Sequence, residues 1–372
     1  MENLKQEIIN YSKTIGISAI GFTTAEPFED LRPILEAYYA NNYQSGFEPD
    51  DIEARIDPKL SMPNAQSIIA IAVGYPNKLK DAPASKRGAR RGIFARASWG
   101  IDYHSLLRNR LNLLEAFIKE RVPEAECLSM VDTGVLSDRS VAERAGLGYS
   151  AKNGFVLNEN LGTWTYLGEM LVNLPFEPDT PVVDSCYDCT ICIDKCPTGA
   201  LVGNGQLDSK KCISFLTQTK GMIADEYRYK IGNRLYGCDT CQQVCPKNKG
   251  INVLQDDIQL EPEILKPLLR PLLTISNKDF KSTYGHLAGS WRGKKPIQRN
   301  AILALAHFKD DTAIEDLKHV AINDVRIEIK ATAYWAIGQI MGDAEKGFLM
   351  NRYEIESDEL VKEEILKGLE VN

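Results

Sequence analysis

Eight of the chain's nine cysteines fall between Cys186 and Cys245, in a spacing that few metal-free folds would need. The first run is Cys186, Cys189, Cys192 and Cys196, followed by Pro197. The second is Cys238, Cys241 and Cys245, followed by Pro246, with Cys212 between the runs. Two residues between cysteines let a tight turn aim successive sulfurs at different irons of one [4Fe-4S] cubane. The cysteine that precedes proline serves the other cluster of a pair. On that rule one cluster takes Cys186, Cys189, Cys192 and Cys245. The other takes Cys196, Cys238 and Cys241, and Cys212 is the remaining nearby thiol that completes its four ligands. Structural zinc also uses Cys-x-x-Cys pairs, but around one tetrahedral ion and without repeated Cys-Pro endings.

At 372 residues, with 44% hydrophobic and 26% charged residues, the chain has room for a large core and two or three domains. Met1 to Gly16 places Leu4, Ile8 and Ile9 at helical spacing among charged residues, which predicts an amphipathic helix and not a signal peptide. No apolar run reaches the roughly 18 residues of a membrane helix. The expected address is therefore the cytoplasm, where thiols stay reduced and disulfides are not expected. A net charge of −7 argues against a uniformly basic nucleic-acid surface and slightly favours a monomer. Basic residues nevertheless cluster at Lys86 to Arg96, at Arg228 to Arg234 and at Arg292 to Arg299. Each cluster alone reads first as a solvated face. Converging in space, they would form a positive track for a shaped polyanion.

Ser67 to Tyr75 (SIIAIAVGY) predicts a buried strand, Leu106 to Ile118 an apolar-striped helix and Cys127 to Val131 a short strand. Residues 1–175 thus read as a mixed α/β domain, 176–250 as a ferredoxin-like insert, 251–290 as a connecting segment and 291–372 as helical. In that last part Ala301, Ala304 and Leu305 recur 32 residues later as Ala333, Ala336 and Ile337, and again more faintly as Ile365, Gly368 and Leu369. A period of that length with small residues at helix contacts predicts stacked helix pairs of the HEAT type, with an ordinary helical cap as the plainer reading.

Asp132 stands where the Cys127 to Val131 strand should give way to a loop, ahead of a helix opening near Asp138. A partly buried carboxyl there, its pKa raised by desolvation, could hold a proton and act as a general acid. The plainer reading is a turn cap. His104, in Ile101-Asp102-Tyr103-His104, reads as a structural or substrate-side histidine.

Four segments together carry a resemblance: ARASWGIDYH (95–104), VDTGVLSDRSVAERAGLGYSAKN (131–153), CYDCTICIDKCPTGAL (186–201) and GCDTCQQVCPKN (237–248). They resemble the epoxyqueuosine reductases, cobalamin-dependent iron-sulfur enzymes related to the reductive dehalogenases, and the resemblance spans nearly the whole chain. It implies an α+β chain: a mixed α/β cobalamin-binding domain, an inserted module with two [4Fe-4S] clusters and a C-terminal HEAT-like repeat domain. The implied reaction reduces epoxyqueuosine to queuosine at the wobble position of tRNA. Electrons would pass from a flavodoxin or ferredoxin through the clusters to cob(I)alamin, which would attack the epoxide carbon while Asp132 protonates the opening oxygen.

The resemblance further implies cobalamin contacts at Asp57, Ala97, Asp132, Arg139, Asn153, Ser214 and Gln242. The Asp-x-His-x-x-Gly signature of histidine-ligated cobalamin is absent, so no protein histidine is expected beneath the cobalt. For tRNA, whose splayed bases stack on planar side chains while phosphates meet basic ones, the candidates are Lys220, Arg228, Arg234, Lys281, Arg292, Lys294, Lys295 and Arg299. Two other classes stay open: a dehalogenase acting on a small organohalide, and an electron carrier that docks a partner through its helical repeats.

Overall fold

The computed structural model of the chain describes residues 1–203 and 205–370. Its contacts divide it into two compact units. Unit 1 comprises Met1–Lys78, Ile101–Cys212 and Asp239–Ile258, and unit 2 comprises Leu79–Gly100, Ile213–Cys238 and Gln259–Asn372.

Unit 1 is built on a four-stranded antiparallel sheet in the order Ala19–Thr24, Ser67–Gly74, Thr165–Val172, Cys127–Met130. All eight residues of Ser67–Gly74 are buried. That matches a near-continuous run of β-branched and small apolar residues, which suits a strand covered on both faces. The helix Tyr103–Arg121 turns its apolar stripe inward, burying Leu107, Leu111, Leu114 and Ile118 completely. The Asp102 carboxylate caps that helix by accepting from the His104 N–H, and this sets the direction of the Tyr103 and His104 side chains. The short helix Asp138–Arg144 is capped by Ser137 and packs over the sheet against Thr165–Val172. The predicted amphipathic helix spans Glu2–Thr14.

Unit 2 ends in five consecutive helices, Lys294–Phe308, Ile314–Asn323, Ile327–Met341, Lys346–Ile355 and Glu359–Leu369. The first, third and fifth carry the 32-residue repeat. Ala301, Ala304, Leu305, Ala333, Ala336, Ile337 and Ile365 are all fully buried in one core. Small residues are needed where the third and fifth helices meet: a Cβ added to Gly338 would lie 2.2 Å from the Gly368 carbonyl oxygen. A side chain there would push apart two backbones packed at interior density. No helix among the described residues is long and apolar enough to cross a membrane.

Candidate active site

Asp132 sits just past the end of Cys127–Met130, in the left-handed region with φ of 52°, a conformation uncommon for a residue with a side chain. Its carboxylate is exposed, at 58% of the side chain. Oδ2 accepts from the Tyr103 hydroxyl at 2.9 Å and lies 3.3 Å from His104 Nε2. On its other side the imidazole meets Asp102, with Nδ1 2.8 Å from Oδ1. Tyr103 stacks on Tyr166 with ring centroids 4.9 Å apart, so the aromatic wall is anchored in the central strand. Below the loop, the Asp132 N–H donates to Asp138 Oδ2 at 2.8 Å.

The electrostatics reverse the expected protonation of Asp132. The hydrogen bond from His104, with help from Tyr103 and the imidazole charge, outweighs burial and holds the carboxyl below its ordinary range. Desolvation does not win, because two donors face the charged form. The proton is held next door: the hydrogen bonds to Asp102 and then Asp132 push His104 up to about 9. At neutral pH the pair is therefore an imidazolium against a carboxylate, one proton shared between two groups within reach.

Two further carboxyls complete the cluster. Burial pushes Asp138 up to about 7. Glu169, on the central strand opposite Met130, is fully buried, and no donor faces either of its oxygens. Burial and the neighbouring Asp138 and Asp132 charges push it well above the carboxylate range. Sequence reading missed Glu169, although a lone acid in the otherwise apolar Tyr166–Val172 stretch was its available signal.

Elsewhere in unit 1, Cys186, Cys189, Cys192 and Cys245 line one cavity with Asn153 and Lys152. This is the first thiol set that the spacing predicts. The second set is divided: Cys196, Cys212 and Cys241 belong to unit 1, and Cys238 closes a segment of unit 2. No disulfide joins any of the nine cysteines. Among the described residues no three His, Cys, Asp or Glu side chains gather tightly enough for a single ion. Four soft thiols around one cavity suit a cubane better than an ion.

Arg139 lines a second cavity with Tyr38, Arg55 and Ser209. Its Nη1 donates to the Gly154 and Gly205 carbonyls at 2.9 and 3.4 Å. Two buried donors go unused, Arg55 Nε on this cavity and Asn153 Nδ2 on the cysteine-lined one: neither has a hydrogen-bond partner. Cobalamin is rich in carbonyl and phosphate oxygens, so this donor set fits it. The remaining positions are less free. Asp57 caps a short turn by accepting from the Lys59 N–H, and Gln242 Oε1 accepts from Thr163 at 2.9 Å and Tyr75 at 3.2 Å. Ala97 and Ser214 are half-buried in unit 2.

Unit 2 also holds a basic cavity lined by Lys220, Arg292, Lys295 and Arg299, with Glu328. Lys220 is exposed, Lys295 pairs with Glu328, and Lys294 Nζ donates to the Ile275 carbonyl at 2.7 Å. Lys281 is exposed on the helix Asn277–Tyr284, and Arg234 donates to the Ile231 carbonyl.

Two of the tRNA candidates need correcting. Arg228 is 2% exposed and grips Glu364 with both terminal nitrogens. Arg299, also 2% exposed, spends its guanidinium on the Thr219, Gly221 and Leu216 carbonyls. A charge taken out of water needs such internal partners, so these two arginines brace the fold. Arg299 shapes the cavity wall at Thr219–Gly221 instead of reaching for a phosphate.

Comparisons with known proteins agree with this geometry. The family "Epoxyqueuosine reductase QueG, DUF1730" matches residues 55–133, a "4Fe-4S double cluster binding domain" matches 185–248, and "HEAT repeats" match 292–370. An epoxyqueuosine reductase of Staphylococcus aureus is 69% identical over 369 residues, covering 99% of this chain and 97% of that protein. A crystal structure of an epoxyqueuosine reductase with an epoxyqueuosine-modified tRNA-Tyr stem loop is 56% identical, with a TM-score of 0.97 over 99% of this chain and 98% of that one. A Bacillus subtilis epoxyqueuosine reductase, whose structure has its catalytic aspartate loop swung out of the active site, is 56% identical, with a TM-score of 0.96 over 99% of both chains. With this identity over its full length and the thiol, acid and repeat architecture just described, the chain belongs to the epoxyqueuosine reductase family of oxidoreductases.

Proposed function

We propose that this chain reduces epoxyqueuosine to queuosine in tRNA with cobalamin and two [4Fe-4S] clusters, and that the His104–Asp132 pair supplies the proton that opens the epoxide. The observation that carries this reading is the imidazolium-carboxylate pair on an exposed loop. When bound, cobalamin supplies low-valent cobalt for carbon-oxygen cleavage, and the clusters supply single electrons.

The balance of the reaction sets the demand on the protein. Two electrons and two protons enter, both carbon-oxygen bonds of the epoxide break, a carbon-carbon double bond forms and water leaves. Both protons end on one oxygen. Opening the ring develops an alkoxide, which a positioned acid neutralises as it forms. Asp132, exposed and aimed by Tyr103 and His104, meets that oxygen and passes on the proton that His104 holds. The swung-out aspartate loop of the Bacillus subtilis relative supports a mobile loop of this kind.

Cys186, Cys189, Cys192 and Cys245 would hold one cluster. Cys196, Cys212, Cys238 and Cys241 would hold the other. Arg139, Arg55 and Asn153 would offer donors to cobalamin, with Asp57, Ala97, Ser214 and Gln242 as further contacts. The tRNA-bound relative supports an anticodon stem loop as substrate, with Lys220, Arg292 and Lys295 at the basic cavity meeting phosphates, and with Arg234, Lys281 and Lys294 as further basic contacts. A tRNA substrate places the work in the cytoplasm, with a flavodoxin or ferredoxin as donor and a monomer as the working form.

The test is anaerobic: protein reconstituted with iron, sulfide and cobalamin is given a strong reductant and an epoxyqueuosine stem loop, and the digested nucleosides are weighed. Queuosine is expected. Cofactor-loaded protein that binds the stem loop but returns only epoxyqueuosine would refute the assignment.

A further inference from the structure

The cluster beneath Asp132 contains more acid than the proton-transfer reading uses. Glu169 lies on the central strand with no exposure and no donor for either oxygen, and the carboxyl that shares a hydrogen bond with it is Asp138. An ionised carboxylate cannot be kept there uncompensated, because its solvation would be lost and no cation replaces it. Like charges so close do not both ionise. Asp138 in turn accepts the backbone N–H of Asp132, the residue held at a positive φ. The charged and titratable groups around the loop are His104, Tyr103 and Asp102 at the start of the helix Tyr103–Arg121, Arg108 on the same helix, which reaches Thr133 at 3.5 Å, Asp138 on its short helix and Glu169 on the sheet.

We infer that Glu169 and Asp138 form a buried acid-carboxylate pair sharing one proton, in which Glu169 donates to Asp138 so that Asp138 accepts the Asp132 N–H and holds the loop in its working conformation. Both are positioning residues, and the inference rests on the reading of Asp132 as the proton-delivering group. A charged acceptor binds a backbone N–H about twice as strongly as a neutral one. The neutral Glu169 thus keeps the ionised Asp138 directed at the loop. The raised Asp138, at about 7, fits a pair that loses its first proton near neutrality, the value belonging to the pair and not to either residue.

Three variants of the holoprotein test this: Asp138→Asn, Glu169→Leu and Glu169→Gln, each checked for iron, cobalt and thermal transition. The first readout is infrared. The wild type is expected to show the C=O stretch of a protonated carboxylic acid, sensitive to deuteration, that disappears in Glu169→Gln. The second is kinetic, on the epoxyqueuosine stem loop. Asp138→Asn and Glu169→Leu are expected to lose about 10- to 100-fold in kcat at unchanged KM, the size of effect that misplacing a reacting group produces.

Glu169→Gln, whose amide still donates, is expected to recover most of that loss. In the wild type kcat should also fall below about pH 7 as Asp138 gains a proton, and that limb should be missing in Asp138→Asn. An infrared spectrum unchanged by Glu169→Gln overturns the inference. So does an Asp138→Asn protein with wild-type kcat and pH profile. If Glu169→Leu fails to fold, the Asp138→Asn kinetics and the infrared band still decide the matter. If wild-type protein makes no queuosine, the functional reading fails, while the band still reports on the pair.

Discussion

His104 Nε2 lies 3.3 Å from Asp132 Oδ2 while its Nδ1 lies 2.8 Å from Asp102 Oδ1, so a single imidazole bridges two carboxylates. A cation between two anions keeps its proton, and each anion so paired gives up its own tendency to hold one. On the proposed reading, the proton that opens the epoxide is held 3.3 Å from the carboxylate that would deliver it.

Activity should report that storage as an alkaline limb. His104 is raised to about 9, so the proton-loaded pair is present below that value and lost as pH rises through it. We expect kcat to fall above about pH 9 in the wild type. His104→Asn should lower kcat by about 10²- to 10⁴-fold, the usual worth of a positioned acid, and should abolish the limb. A limb that survives the substitution would assign it to another group.

The same pair makes folding stability depend on pH. His104 has a folded pKa above its ordinary 6.5, so its contribution is fully present below about 6.5 and is lost as pH rises through about 9. Denaturant titrations across that window should show stability declining in the wild type and a flatter dependence in His104→Asn. Equal slopes in the two proteins would count against the Asp102–His104–Asp132 contacts.

Basic residues of unit 2 should separate into two classes. Replacing Lys220 or Arg292 by Ala should weaken stem-loop binding and reduce the salt dependence of log Kd by roughly 0.7 to 0.9 per phosphate contact, with little change in stability. Arg228→Ala should instead destabilise the fold measurably, because it removes the bidentate partner of the buried Glu364 and leaves that carboxylate only Lys367. Thermal melts beside binding isotherms at several salt concentrations check both halves.

The thiol assignment predicts which cofactor each cysteine supports. Cys186→Ala and Cys212→Ala should each reduce bound iron by about four per chain, and the electron paramagnetic resonance signal that remains should differ between the two variants. Retention of full iron by Cys212→Ala would remove the one irregular ligand from the scheme.

What the sequence made legible follows from how local each signal is. The strand Ser67–Gly74 and the helix Tyr103–Arg121 are written in short apolar patterns, and the HEAT helices in a 32-residue period whose small residues mark close backbone approach. Cluster thiols are legible because cubane geometry constrains neighbours along the chain. The position of Asp132 could be read at the end of a strand, but not its protonation. That depends on His104 and Tyr103, 28 and 29 residues away. Arg228 misled for the same reason: a solvated arginine and one locked to Glu364, 136 residues later, look alike in sequence. Burial and long-range partners decide charge states, and neither is a local property.

We propose that this chain delivers a proton from Asp132 while reducing the epoxide of a tRNA-borne nucleoside. The most direct measurement compares wild type and Asp132→Asn, both shown to hold full iron and cobalamin, in anaerobic single turnover of an epoxyqueuosine stem loop followed by nucleoside mass analysis. Queuosine is expected from the wild type, and from the variant a rate lower by at least about 10²-fold, with stem-loop affinity unchanged. Equal rates from the two proteins would contradict it.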